Sequence, residues 1–135
     1  MVTDQSVAVA TGSIWRQGAI AGAIAGVVNV VIWVVGNIAG LNWEVTQGGQ
    51  TTDVLAFMPF ISSFVPSLLS IVLLWVLLKA GRGSLWRPII AVLALISVAQ
   101  PILAAKETST GLVLGVMHIV FGAVLIAMVK VPAKA

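Results

Sequence analysis

The stretch WRQGAIAGAIAGVVNVVIWVVGNIA, residues 15–39, decides the fold. After Arg16 it contains no charged side chain, and it exceeds the roughly 20 helical residues that cross a hydrocarbon layer about 30 Å thick. Residues 54–78, 86–105 and 110–129 meet the same test. The sequence therefore predicts an all-α membrane protein, a bundle of four transmembrane helices in residues 14–135 that follows an N-terminal tail of residues 1–13.

Composition agrees with this reading, since 60% of the 135 residues are hydrophobic and only 8% are charged, too few for a soluble domain. The seven Lys and Arg residues stand singly rather than in a basic stripe, so we expect no nucleic-acid partner. Cysteine is absent, which excludes disulfides and thiolate metal sites. Paired carboxylates, a Ser-His-Asp set and a Gly-rich phosphate loop are also missing. We therefore expect neither enzymatic activity nor a cofactor.

The basic residues predict the orientation in the membrane, because short loops rich in Lys and Arg stay in the cytoplasm. Only Lys106 falls on one side of the predicted spans. The other side holds Arg16, Lys79, Arg82, Arg87, Lys130 and Lys134. We expect a multi-pass membrane protein with both termini in the cytoplasm, and Trp15, Trp75 and Trp86 as an aromatic belt at that interface.

A short echo suggests an internal repeat. Ser13-Ile14-Trp15-Arg16 opens the first span, and Ser84-Leu85-Trp86-Arg87 opens the third. One interpretation is a duplicated helical hairpin, with the two copies related by an axis along the membrane normal. The other is that both spans need an interfacial Trp and an inside-facing Arg independently, since nothing downstream of the two tetrapeptides aligns.

Small residues lie on one face in two of the spans, as in a glycine zipper. In the first span this face carries Gly18, Gly22, Gly26, Asn29, Trp33, Gly36 and Asn37. In the fourth it carries Gly111, Gly115, His118 and Gly122. Because small residues let helices approach closely in lipid, we expect Gly18, Gly22, Gly26, Gly111, Gly115 and Gly122 to be helix-packing residues.

Polar side chains gather at a similar depth. Counting inward from the predicted span ends puts Asn29, Ser62, Ser63, Gln100 and His118 near the midplane or in the outer half of the bilayer. Pro66 and Pro101 add to this, because each frees the backbone carbonyl four residues earlier. With Trp33 and Asn37, these side chains form a candidate ligand-binding set. The alternative is interhelical hydrogen bonding, worth about 0.6 kcal/mol for each pair.

His118 has three interpretations. It is the only histidine, so it can be a proton-responsive or ligand-binding group, or an axial ligand for a tetrapyrrole. It can also be a neutral structural imidazole that bonds a neighbouring polar group. Because its span offers no second ligand, we expect no metal site.

The chain resembles a known group of proteins in three features. They are Trp15-Arg16-Gln17-Gly18-Ala19 leading into Asn29-x-x-x-Trp33, two prolines in the second span, and Met117-His118 in the fourth. The proteins of this group are uncharacterised small four-helix integral membrane proteins of actinobacteria and related bacteria, a family of unknown function. The resemblance implies a bacterial plasma membrane and no particular activity.

Two functions fit these patterns. The first is an interaction protein that packs through its glycine faces, either as a homo-oligomer or as an accessory subunit of a larger membrane complex. The second is a binder or conduit for a lipidic or small neutral ligand at the polar pocket around His118. Membrane lipids are expected partners in both cases.

Overall fold

The computed structural model describes residues 4–133, with side chains from residue 12 onward. A 3-10 turn at Gly83–Leu85 precedes the third long helical stretch. The regular elements are α1 (Asp4–Ile38), β1 (Glu44–Gln47), β2 (Gln50–Asp53), α2 (Met58–Lys79), α3 (Trp86–Ser97), α4 (Ala99–Ala104) and α5 (Thr108–Met128).

Four helical stretches within the described residues are long and apolar enough to cross a membrane. They are Gly12–Ile38, Met58–Lys79, Gly83–Ala104 and Thr108–Met128, and each overlaps one of the four predicted spans. Large apolar side chains are exposed on their outer surfaces, with Ile38 at 81% and Leu103 at 85%. In water such an apolar surface would drive aggregation, whereas exposing it to the acyl chains of a lipid bilayer carries no free-energy penalty. The chain is a membrane protein.

α1 begins well before the predicted first span. Its helix starts at Asp4, so the described part of the predicted tail, residues 4–13, continues the helix without a break. Lys134, one of the basic residues used to predict the orientation, lies outside the described residues.

The connection between α1 and α2 corrects the all-α prediction. It is an antiparallel β-hairpin in which Glu44 pairs with Asp53 and Gln47 with Gln50. Gly48 and Gly49 form the turn with φ angles of 57° and 80°. Positive φ at both central residues is the geometry of a two-residue hairpin turn that matches the twist of the strands, and glycine adopts it without strain.

The hairpin is fastened to the turn between α4 and α5. The backbone N–H of Lys106 donates to the Glu44 carbonyl at 3.1 Å, and Val45 forms a bridge with Ala105. The Thr110 hydroxyl donates to the Asn42 carbonyl. We call this side of the molecule the hairpin end and the opposite side, where α1 enters and α5 leaves, the terminal end.

A proline divides the third span, whereas the second span contains two prolines and stays continuous. Val98 interrupts the helix between α3 and α4, three residues before Pro101, as expected if Pro101 cannot donate to the Ser97 carbonyl. Pro66 lies inside α2. Pro59 lies in the first turn of α2, where its missing N–H removes no helical hydrogen bond, so it starts the helix instead of bending it.

The helices pack unequally. α1 packs along α2 and also along α5, and α5 packs against α3 and α4. α2 makes few contacts with either α3 or α5. A cleft therefore remains between α2 on one side and α3 and α5 on the other.

Trp86 lies in the core, contrary to the predicted aromatic belt. Its ring is fully buried and its Nε1–H donates to the Ser70 carbonyl at 2.8 Å. In the echoed tetrapeptides the burial is opposite, because Ile14 is buried beside exposed Trp15, whereas Leu85 is exposed beside buried Trp86. The two segments are not structurally equivalent, which favours the independent origin of the echo.

Candidate functional site

The glycines of α1 lie against α2. A Cβ atom added at Gly22 would lie 2.7 Å from the Cβ of Ser67 and 3.2 Å from the Cα of Phe64, and one added at Gly18 would overlap Ile71. The buried Ser67 hydroxyl donates to the Gly18 carbonyl at 2.6 Å. We call this contact, formed by Gly18, Gly22, Ser67 and Ile71, the closed seam. Close backbone approach and a satisfied hydrogen bond hold the two helices together here.

Gly26 continues the same line towards the hairpin end, where an added Cβ would lie 2.6 Å from a ring carbon of Phe60. The glycines of α5 lie against the third span in a similar way. An added Cβ would lie 3.1 Å from the Cα of Ile102 at Gly111, 3.1 Å from a Val98 methyl at Gly115 and 2.5 Å from the Cβ of Ala94 at Gly122. All six predicted packing glycines thus contact helices of the same chain.

Four of the predicted ligand-binding side chains surround one small polar chamber. Asn29 enters it from α1, Ser62 and Ser63 from α2, and His118 from α5. The chamber has a volume of about 80 Å³, and its remaining lining is Val54, Met58, Pro59, Leu114, Met117 and Phe121. One water needs roughly 10–15 Å³ on this measure, so the chamber has room for several waters or a small polar group.

Asn29 is the polar centre of the chamber and is only 3% exposed. Its amide Nδ2 donates to the Ser63 hydroxyl at 3.0 Å and to the Met117 carbonyl at 3.2 Å. A carbonyl can only accept, so the amide orientation is settled by this bond. The other amide atom, Oδ1, is buried and receives no hydrogen bond from any residue that the structure describes.

The remaining polar side chains of the chamber all donate to backbone carbonyls. The Ser63 and Ser62 hydroxyls donate to the Pro59 carbonyl at 2.7 Å and 3.3 Å. His118 Nδ1 lies 2.7 Å from the Leu114 carbonyl, so Nδ1 must carry the proton. In the neutral ring this leaves Nε2 as an acceptor. The chamber therefore offers acceptors rather than donors.

A larger and mostly apolar cavity adjoins the chamber. Its volume is about 390 Å³, within the range of small-molecule sites, and Ser62, His118 and Phe121 line both spaces. Its other walls come from α2, α3 and α5: Pro66, Leu69, Ser70, Leu73, Ile90, Leu93, Ala94, Ser97 and Leu125. We call the two spaces together the open cleft.

Three predicted site residues lie elsewhere. Asn37 and Gln100 are exposed and line neither space of the open cleft. Trp33 stands behind the chamber, where its Nε1–H donates to the Val54 carbonyl at 2.8 Å and its ring stacks on Trp43 at 5.8 Å between centroids. The predicted set thus reduces to Asn29, Ser62, Ser63 and His118, with Trp33 supporting a wall.

The apolar residues that line the larger cavity were not predicted from the sequence. Leu69, Leu73, Leu93 and Leu125 are of the same residue types as those that face lipid or fill the core, so composition carries no signal for them. A weaker signal existed at Ser97, because Pro101 frees its carbonyl and this residue does line the cavity.

Charged groups lie at the two ends of the molecule and not in the cleft. Lys106 Nζ contacts Glu44 Oε2 at 2.7 Å. The hydrogen bond from Lys106, together with one from Asn42, holds the pKa of Glu44 below its ordinary value. The hydrogen bond with Glu44 in turn raises the pKa of Lys106. Across the described residues, no three His, Asp or Glu side chains come close enough together to hold a metal ion.

A family model matches residues 9–135, which include all four spans. The chain belongs to DUF6069, a family of unknown function. The resemblance to an uncharacterised family is thereby confirmed, and membership in DUF6069 assigns no activity. No curated protein and no solved structure matches the chain.

Proposed function

We propose that this membrane protein binds a lipidic or small neutral molecule in the open cleft, with the polar part of the molecule in the chamber around Asn29 and His118. The observation that carries the proposal is Asn29 Oδ1, a buried acceptor that no described residue satisfies. Leaving such a group unpaired costs roughly 1–3 kcal/mol, and a bound donor removes that cost.

The way in which α2 packs supports the same function. If the polar side chains served only to join helices, their hydrogen bonds would connect neighbouring helices and close the space between them. Ser67 behaves in this way, because its hydroxyl donates to the Gly18 carbonyl of α1 where the two helices are in close contact. Asn29 also joins α1 to α2 and α5 through Ser63 and Met117, but around it the helices leave a chamber that adjoins an apolar cavity of ligand size.

Assembly through the glycine faces has less support. All six glycines are covered by helices of the same chain, so they are not free to dock a second copy or another subunit. A homo-oligomer or an accessory role would have to use other surfaces.

The ligand proposal is tested by native mass spectrometry of the protein purified in mild detergent. We expect the wild-type chain to retain a small molecule, and Asn29→Leu to lose it by about tenfold or more, as expected for one unmade buried hydrogen bond and a filled chamber. Asn37→Leu is the matched control, because Asn37 lies on the same helix but outside the cleft, and it should retain the molecule. A wild-type chain that is bare and forms a defined oligomer would favour assembly instead.

We also propose that both termini face the cytoplasm of a bacterial inner membrane. Support comes from Arg16, Lys79, Arg82, Arg87 and Lys130 at the terminal end, against one lysine at the hairpin end that is paired with Glu44. Because the chain has no native cysteine, Gln50→Cys and Arg82→Cys report the two sides directly. An impermeant thiol reagent added to intact cells should label the first and spare the second. The reverse pattern would invert the topology.

A further inference from the structure

We infer that the open cleft selects a molecule with an apolar chain and a terminal hydroxyl group over an ether or a carboxylate with the same chain. This inference rests on the proposed function and adds the chemical class of the ligand. It follows from which hydrogen-bonding groups the protein has already used, from the charge of the cleft and from its shape.

The first step is the balance of donors and acceptors. Every side-chain donor in the chamber already donates to an acceptor of the protein. These donors are the Asn29 amide, the Ser62 and Ser63 hydroxyls and the Nδ1–H of His118. In the lining of the chamber, the buried side-chain atom left unpaired is an acceptor, Asn29 Oδ1, and His118 Nε2 is a second acceptor in the neutral ring. Pro66 also cannot donate to the carbonyl of Ser62, a residue that lines both spaces. A ligand therefore has to donate. A hydroxyl does so, whereas an ether or carboxylate oxygen accepts only.

The second step is charge. Neither space of the open cleft is lined by a Lys, Arg, Asp or Glu side chain of the described chain. A carboxylate or phosphate would be buried without a partner, and so would an ammonium group, which makes both costly. The cleft therefore suits a neutral polar group.

The third step is shape. The larger cavity follows α2 from Ser62 to Leu73, a length of roughly 16 Å at 1.5 Å per helical residue. This is about half of a hydrocarbon layer that is about 30 Å thick. Leu69 and Leu93 line the cavity and are 63% and 53% exposed, so the cavity opens sideways between α2 and α3, where lipid would be. A single hydrocarbon chain can enter from the bilayer with its hydroxyl group towards Asn29.

The test uses the full chain in detergent micelles that contain equal mole fractions of hexadecanol, its methyl ether and hexadecanoate, with bound molecules counted by native mass spectrometry. We expect about fivefold to tenfold more bound alcohol than ether, the ratio for one net hydrogen bond. Asn29→Leu should remove this preference, and Asn37→Leu should keep it. The comparison within the wild-type chain needs no variant, so it stands even if Asn29→Leu does not fold.

The contrary outcomes separate the two proposals. Equal binding of the alcohol and the ether, or a preference for hexadecanoate, would overturn the hydroxyl inference and leave the cleft as a lipid-binding site. Binding of none of the three by a stable wild-type protein would mean that water alone satisfies Asn29, and both proposals would then fail.

Discussion

Two positions on the same face of α2 differ in how they are packed. Ser67 in the closed seam and Ser63 in the open cleft are one helical turn apart and both almost fully buried. Ser67 bonds a carbonyl of α1 at a point where two backbones nearly touch. Ser63 accepts from Asn29, whose own oxygen stays unpaired beside a cavity. A buried serine in a membrane helix thus marks a site only where the hydrogen bonding around it is incomplete.

The largest effect that separates the two regions should come from filling the closed seam. Gly22→Ala places a methyl group 2.7 Å from Ser67 Cβ and 3.2 Å from the Phe64 backbone, so the helices must move apart. We expect a loss of about 1–3 kcal/mol in the free energy of unfolding, as for other overpacked interiors. Thermal or denaturant unfolding in detergent measures it.

Gly12→Ala is the matched control, because Gly12 lies on the same helix and no atom of the described residues lies within 4 Å of its added Cβ. It should be neutral or raise stability by up to roughly 1 kcal/mol, since alanine favours helix. Equal effects of the two substitutions would mean that the seam is not close-packed.

A smaller effect on stability is expected from removing one serine hydroxyl in the closed seam and one in the open cleft. Ser67→Ala loses the hydrogen bond to the Gly18 carbonyl and should lower stability by about 0.6 kcal/mol, with ligand retention unchanged. Ser62→Ala loses a longer bond of 3.3 Å within its own helix and should change stability less. Paired unfolding and native mass spectrometry of both variants checks this. If Ser67→Ala released the ligand, the distinction between seam and cleft would be lost.

The smallest effect concerns the hairpin end, which borders the cleft through Val54. Because Lys106 lowers the pKa of Glu44, the pair stabilises the hairpin above the ordinary pKa of a Glu side chain, and this contribution is lost as the pH falls through the lowered value. The raised pKa of Lys106 has the opposite sense, so its contribution is lost as the pH rises through that value. Hydrogen exchange of the hairpin amides, corrected for intrinsic rates, should show protection falling at both limits.

Glu44→Gln should abolish the acid limit, whereas Asp53→Asn, on the paired strand, should keep it. Exchange in the closed seam should not follow this pH dependence, because its residues carry no charge. An acid limit that survived in Glu44→Gln would assign the effect to another group.

The spans were predictable because their cause is local: a run of apolar residues long enough to cross a bilayer has that length wherever its segment folds. The break at Val98 was not predictable in this way, because Pro66 lacks the same N–H and lies inside an unbroken α2. The hairpin also has a local signal, since Gly48-Gly49 stands between two short segments that contain Val45, Thr46, Thr51 and Thr52.

The site was only partly predictable, because depth can be counted along a chain whereas the direction of a side chain cannot. Gln100 has the depth of the chamber, yet it is exposed, since the break at Val98 and the packing of the third span on α5 decide which way it points. Trp86 likewise has the position of an interfacial residue but fills the core.

By itself, then, the sequence determined that this protein is apolar enough for a membrane. It also determined the positions of the four spans along the chain and the few polar residues within them. Only the tertiary structure decided that the glycines are covered by the chain's own helices and that Asn29 meets Ser63 and Met117. The physical reason is that the groups packed around a hydrogen-bond acceptor in the folded protein decide whether it is buried and whether it receives a hydrogen bond. Oδ1 of Asn29 becomes a candidate ligand contact only because three helices bury it and none of their described groups donates to it.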